Sequence, residues 1–151
     1  MSIRNVFRNK KGFSLIELSI AIVILGILVG AVVVGSGLGT KAKVQHETDT
    51  VNTLVTAARN YLTASQTTYT GVSITVLGTA NYLPASFTST STDSWGGVYG
   101  VAVDATSTQV DITVAAVPNA TTATLLSNNF ANTAVSTSYN ATTLVWTGVF
   151  S

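Results

Sequence analysis

The 151-residue chain contains no cysteine, two prolines and a single histidine. Without cysteine it has no disulfide framework, no thiolate metal site and no cysteine nucleophile. Charged residues make up only 9% of the chain and hydrophobic residues 46%, whereas the usual charged share is about 25%. This balance excludes charge-driven disorder. A formal net charge of +1 also argues against a nucleic-acid interface built on a basic face.

The few charges are unevenly placed along the chain. Four of the seven basic residues precede residue 12: Arg4, Arg8, Lys10 and Lys11. The 21 residues from Leu18 to Leu38 carry no charge. As a helix they would span roughly 31 Å, which matches a hydrocarbon core about 30 Å thick. Because the basic flank comes first, we expect a cytoplasmic N-terminus and a chain that is anchored in the membrane or exported across it.

Three kinds of N-terminal segment fit these features. A cleaved secretory signal has a shorter apolar core, although Gly35-Ser36-Gly37 offers a small-residue cleavage site. An uncleaved signal anchor agrees with the length and with the basic flank. A third interpretation depends on Gly12, Phe13 and Glu17.

The run Lys11-Gly12-Phe13-Ser14-Leu15-Ile16-Glu17-Leu18 resembles the prepilin signature of type IV pilins and pseudopilins. The resemblance extends to about Val34. It implies that an inner-membrane prepilin peptidase cuts between Gly12 and Phe13 and methylates the new N-terminus at Phe13. The implied segments are a leader over 1–12, a hydrophobic transmembrane and assembly helix over 13–40, an amphipathic helix half over 41–65 and a β-rich globular head over 66–151.

Glu17 lies beside the apolar run, where a carboxylate is costly unless it is paired. Within its own helix no basic residue lies one turn away. Cleavage would create a positive α-amino group at Phe13, and Glu17 of one subunit can pair with that amine in another. Such a pair would fix the stagger of the helices during assembly. The alternative is a glutamate solvated by lipid headgroups.

The helix is predicted to continue beyond the membrane segment, to about residue 65. Apolar residues recur there at spacings of three and four: Val44, Val51, Leu54, Val55, Ala58, Tyr61 and Leu62. Glu47, Asp49 and other polar residues fill the remaining positions, as in an amphipathic helix with one solvated face. His46 and its acidic neighbours could touch a metal, but a solvated helix face explains them.

Five glycines modify this long helix: Gly26, Gly30, Gly35, Gly37 and Gly39. The first two form a small-xxx-small pair that lets another helix approach closely. Each of the other three weakens a helix by up to about 1 kcal/mol relative to alanine. The cluster predicts a flexible or locally melted segment from Gly35 to Thr40; a membrane-exit linker is the simpler alternative.

The rest of the chain predicts an α+β fold of the pilin type, with a small antiparallel sheet packed on the amphipathic half of the long helix. Strands are predicted over four segments: 72–76, 98–103, 109–114 and 144–149. The middle two form a hairpin. A turn is predicted at Leu83-Pro84, a loop from Ser86 to Ser94, and a short helix from Pro118-Asn119 to about Asn128.

The head also resembles that of type IVb and conjugative type IV pilins. The similarity lies in Leu83-Pro84, Trp95-Gly96-Gly97-x-Tyr99 and Val117-Pro118. Those heads usually carry a disulfide, which this chain lacks.

No catalytic or phosphate-binding motif is present, and Asp104 and Asp111, which flank the hairpin loop, lack the spacing of a calcium loop. We therefore expect a protein that is not an enzyme and that holds no cofactor or metal.

The resemblance implies a structural subunit, a major pilin first of all, that forms an extracellular filament used for adhesion, motility or DNA transfer. A minor pilin or pseudopilin of a type II secretion or DNA-uptake machine is the alternative, and a membrane-tethered binding domain is a more distant one. The expected partners are other copies of the chain, the prepilin peptidase, the inner-membrane assembly machinery and membrane lipid. Direct nucleic-acid binding is not expected, because the aromatic residues lack basic neighbours.

Overall fold

The computed structural model describes residues 39–63 and 67–151. Helix α1, which we call the stem, covers 39–63, and residues 67–151 form the head. The elements of the head are helix α2 (Ile74–Thr79), strands β1 (Tyr99–Val103) and β2 (Val110–Val114), helix α3 (Ala120–Asn129), and strands β3 (Ser136–Asn140) and β4 (Val145–Phe150). Residues Thr40–Ser151 form one compact unit.

The stem buries one face, as its apolar spacing predicts. The buried apolar residues of the stem are Val44, Val51, Leu54, Val55, Ala57 and Ala58, and Tyr61 and Leu62 are partly buried against the same core. Glu47 departs from the prediction, because it is 0% exposed instead of facing solvent. It lies three residues after Val44 and four before Val51, so the helical repeat turns it toward the core.

The four strands form one antiparallel sheet in the order β1-β2-β4-β3. The predicted hairpin is confirmed: Tyr99 lies opposite Val114, and Val103 lies opposite Val110. A long helix followed by a small antiparallel sheet is the α+β fold that the sequence predicts.

One core joins the sheet to the stem. Alternate residues of β2 and β4 enter it, as expected for strands with one buried face: Val110, Ile112, Val114, Trp146 and Phe150. The ring of Phe130, at the end of α3, lies 5.5 Å from the rings of both Trp146 and Phe150. The indole N–H of Trp146 donates to Oγ of Ser127 at 2.9 Å, so this buried donor is satisfied.

The strand predicted over 72–76 is wrong, because the chain forms helix α2 there. Ser73 caps this helix, and its hydroxyl accepts a hydrogen bond of 3.2 Å from the N–H of Val76. Ile74 and Leu77, one helical turn apart, are the buried residues of α2. The alternation of Val72, Ile74 and Val76 indicated a strand, but the chain forms a helix that buries Ile74 and Leu77.

Strand β3 was missed, since Ser-Thr-Ser-Tyr-Asn lacks the apolar alternation that marks a half-buried strand. It is an edge strand with exposed and half-buried residues only. It pairs with β4 through the backbone, and Tyr139 packs against the core. The predicted short helix is confirmed as α3. Its N-cap Asn119 accepts a hydrogen bond of 2.9 Å from the N–H of Thr122.

Candidate functional site at the junction of stem and head

Glu47 is a buried carboxylate of the stem that accepts three hydrogen bonds from the head. Its Oε1 accepts from the backbone N–H of Ser94 at 2.8 Å and from the Ser94 hydroxyl at 2.5 Å. Its Oε2 accepts from the Tyr99 hydroxyl at 2.5 Å. Hydrogen bonds to an ionised acceptor are short and about twice as strong as neutral ones. A single stem side chain therefore ties α1 to two separate points of the head.

Asp93 is a second buried carboxylate, directly before Ser94, and is 6% exposed. Its Oδ1 accepts from the N–H groups of Trp95 and Gly97 at 2.8 and 2.9 Å. Its Oδ2 is buried and has no hydrogen-bond partner. Burial raises the pKa of Asp93, and the negative charge of Glu47 acts in the same direction. We call Glu47, Asp93, Ser94 and Tyr99 the junction cluster.

Two further groups set the electrostatics of the junction cluster. Burial raises the pKa of the Tyr99 hydroxyl, and its hydrogen bond to Glu47 raises it further, so Tyr99 remains a donor. The His46 side chain is 67% exposed, in line with the solvated helix face predicted for it. Its Nδ1 nevertheless lies 3.3 Å from Oε1 of Glu47 and 3.4 Å from Oγ of Ser94, at the rim of the junction cluster.

The loop that holds Asp93 depends on two consecutive glycines. Gly96 has a φ of +87°, a conformation that favours glycine. At Gly97, an added Cβ would lie 2.6 Å from the carbonyl carbon of Ala115 and 2.7 Å from Oδ2 of Asp93. The chain therefore passes so close to Ala115 that a side chain at Gly97 would not fit. The Trp95-Gly96-Gly97-x-Tyr99 run, noted as a family resemblance, thus supplies the loop and the tyrosine of the junction cluster.

The hydrogen bonds of Glu47 attach the stem to the head. Both oxygens of Glu47 are occupied by donors from the protein itself, so this carboxylate cannot act as an accessible general base. Over residues 39–63 and 67–151, no group of three or more His, Asp or Glu side chains is arranged to hold a metal ion. What the junction cluster shows is hydrogen bonding between the stem and the head.

A second pair of acids lies at the hairpin. The carboxylate of Asp104 accepts hydrogen bonds from the N–H and the hydroxyl of Thr106, and these bonds, with one from the backbone of Ala105, hold the pKa of Asp104 below its usual range. Burial raises the pKa of Asp111, and the charge of Asp104 raises it further. The charge of Asp104 therefore acts on Asp111, which flanks the same hairpin loop.

Most of the predicted assembly residues lie outside the residues that the structure describes: Gly12, Phe13, Glu17, Gly26, Gly30, Gly35 and Gly37. Gly39 and Thr40 are described, and both are helical. The other residues of the predicted flexible segment, 35–38, lie outside the described residues, so the flexibility stays a prediction. A Cβ placed on Gly39 would meet no atom within 4 Å, so packing against the described residues does not require a glycine there.

The sequence did not reveal the junction cluster as a set. A signal existed for Glu47, since residues 44, 47, 51, 54 and 58 follow the helical repeat that faces the core. Glu47 and Tyr99, by contrast, are 52 residues apart in the chain, and no local spacing links them.

Comparisons with known proteins bear on the N-terminal segment. Residues 7–33 match the family model of the prokaryotic N-terminal methylation motif, which spans the predicted cleavage residues Gly12 and Phe13 as well as Glu17. The predicted N-terminal signature is thereby confirmed, while the subtype of the head stays a prediction. No curated protein and no solved structure matches the chain.

Among the described residues, no helix is both long enough and apolar enough to cross a bilayer. The apolar run from Leu18 to Leu38, which forms most of the predicted membrane segment, lies outside those residues.

Proposed function

We propose that this chain, whose N-terminal segment is that of the type IV pilin and pseudopilin family, is a structural subunit of a type IV pilus, and specifically its major pilin. The observation that carries the proposal is the N-terminal methylation motif over residues 7–33. The junction cluster adds support, because a subunit under load needs a firm attachment between its assembly helix and its head.

In this proposal the chain begins as an inner-membrane protein with a cytoplasmic N-terminus. The prepilin peptidase removes residues 1–12 and methylates Phe13. Residues 13–40 then leave the bilayer and pack against the same segment of other copies, with Glu17 paired to the amine of a neighbour. The stem from 41 to about 65 carries the β-rich head on the outside of the filament. The assembly machinery of the inner membrane drives this transfer.

The surface composition agrees with an extracellular filament. After loss of the leader, three basic residues remain, Lys41, Lys43 and Arg59, against six acidic ones. All three basic residues are exposed. Adhesion, motility or DNA transfer would then be properties of the assembled filament, and the filament body would consist of copies of this chain.

The test is mass spectrometry of N-terminal peptides from filaments sheared off intact cells, with the membrane fraction of the same cells as the matched control. A peptide that begins at methylated Phe13 and is abundant in the sheared fraction is the expected result for a major pilin. The same peptide confined to the membrane fraction would overturn the major-pilin assignment in favour of a minor pilin or pseudopilin. A peptide that begins at Met1 would overturn both and indicate a tethered domain.

A further inference from the structure

The two carboxylates of the junction cluster are unequally supplied with hydrogen-bond donors. Glu47 receives three from the head, from the backbone and hydroxyl of Ser94 and from the Tyr99 hydroxyl, and Nδ1 of His46 lies 3.3 Å from its Oε1. Asp93 receives two N–H donors, both on Oδ1, and none on Oδ2. A donor to the ionised form favours ionisation, and its absence leaves an acceptor that is desolvated without compensation. Any proton that enters the junction cluster therefore belongs on Asp93.

Little positive charge balances these acids. Across the part of the chain that the structure describes, no lysine or arginine forms an ion pair with Glu47 or Asp93, and the basic side chain nearest Glu47 is the imidazole of His46, with Nδ1 3.3 Å from Oε1. The ionisable groups that face Asp93 are Glu47 from the stem and Tyr99 from β1. With Tyr99 neutral, two negative charges meet in a buried place, and such pairs bind a proton more readily than a lone acid does.

The space beside Oδ2 of Asp93 contains a second hydrogen-bond acceptor. Oδ2 of Asp93 and the carbonyl oxygen of Ala115 both line the narrow space beside Gly97, each 2.7 Å from the position that a Cβ would take there. A carboxylic acid at Asp93 would supply one O–H donor to a space whose lining already includes an acceptor, the Ala115 carbonyl.

We propose that the junction cluster binds one exchangeable proton on Oδ2 of Asp93, and that this proton strengthens the attachment of the head to the stem. The folded protein binds the proton more tightly than the unfolded chain does. The contribution of Asp93 to stability is therefore fully present below the ordinary pKa of an aspartate, near 3.9, and is lost as the pH rises through the folded pKa. Acidification from neutral pH thus stabilises the head on its stem.

The direct test is a carboxyl ¹³C titration by NMR of the full chain in detergent micelles. Asp93 is expected to titrate at a higher pH than the exposed Asp104 of the same molecule, whose pKa is lowered by its hydrogen bonds. An Asp93 midpoint at or below that of Asp104 would overturn the proposal, as would a proton that appears first on Glu47. A shift of the Asp93 signal on addition of calcium at pH 7 would assign Oδ2 to a cation instead.

Asp93→Asn provides the second test, because its amide oxygen can keep both bonds to Trp95 and Gly97 while the charge is lost. The measurement is the urea midpoint of the full chain at pH 7 and at pH 4.5. The wild type should gain stability on acidification, and Asp93→Asn should gain less. The matched control is Asp49→Asn, an exposed acid of the stem, which should respond like the wild type.

An undiminished pH response in Asp93→Asn would refute the proposal. If this variant does not fold, the wild-type titration decides alone. Neither result depends on whether the protein is a major pilin, since both concern the attachment of the head within one subunit.

Discussion

The hydroxyl of Tyr99 lies 2.5 Å from Oε2 of Glu47 and joins the first residue of strand β1 to the middle of the stem helix. Both residues are buried, at 5% and 0% exposure. A buried carboxylate that loses a donor keeps its desolvation penalty without compensation. This penalty exceeds the net stability that a typical hydrogen bond contributes. The contact is therefore both a tie between two parts of the fold and a place where single substitutions are costly.

Replacing Tyr99 with phenylalanine should lower the free energy of unfolding by about 1.5–3 kcal/mol, the range for a hydrogen bond to a charged group. The matched control is Tyr139→Phe, which removes a bond of 2.9 Å to the neutral carbonyl of Val117 and should cost about 0.5–1.5 kcal/mol. Urea denaturation followed by tryptophan fluorescence measures both, since Trp95 and Trp146 lie in the head. Equal losses in the two variants would contradict a charge-assisted bond at Tyr99.

Gly97→Ala should destabilise the head, because the new methyl group would meet the backbone of Ala115 at 2.6 Å. Backbone atoms cannot swing aside as a flexible side chain does, and overpacking of this kind costs about 1–3 kcal/mol. Gly78→Ala is the control: it lies in helix α2 with no atom within 4 Å of the added Cβ, and should be neutral or stabilising by up to about 1 kcal/mol. Thermal melts of the two variants that coincide would disprove the steric argument.

Asp111→Asn should raise stability at pH 7 and lose that advantage as the pH falls toward 4. The pKa of Asp111 is raised, by burial first and by the charge of Asp104 second. The ionised form is therefore disfavoured in the folded state, and its penalty disappears once the carboxyl is protonated. Urea midpoints at several pH values measure the effect. A benefit that stays constant from pH 7 to pH 4 would show that charge is not its cause.

Gly39→Ala should stabilise the start of the described helix, because the glycine is helical and a Cβ meets no neighbour there. The expected gain is about 0.5–1 kcal/mol, seen as slower amide hydrogen exchange over residues 40–44. Ala42→Gly, at an exposed position of the same helix, should speed exchange by a similar factor. If the glycine cluster provides flexibility for assembly, Gly39→Ala should also reduce the filament yield; an unchanged yield would favour a simple linker.

Glu17→Ala should leave cleavage after Gly12 intact but reduce the amount of filament sheared from cells. The variant removes the carboxylate that pairs with the amine of a neighbouring Phe13 while it retains the leader and the apolar run. The processed fraction and the sheared fraction are both measured by immunoblot. A normal filament yield from fully processed Glu17→Ala would rule out the pairing.

Local features of the sequence were sufficient for much of the fold. The stem follows from apolar spacing, the β1–β2 hairpin from two alternating runs around a polar loop, and α3 from the cap at Asn119. These patterns depend on neighbours within a few residues. Helix α2 was misread because a short run of β-branched residues fits both a strand and a capped helical turn, and the burial of Leu77 decides between them.

The sequence by itself determined the N-terminal methylation motif, the long amphipathic stem and the β-rich head, since each depends on residue types at fixed short spacings. The tertiary structure alone decided that Glu47 is buried, that Tyr99 and Ser94 supply its donors, and that Oδ2 of Asp93 has none. For Glu47 the physical reason is distance along the chain, because its donors Ser94 and Tyr99 lie 47 and 52 residues away and only folding brings them together. The tertiary structure also decided that β3 is a strand: it pairs with the neighbouring strand β4, and backbone pairing leaves no apolar pattern in the sequence.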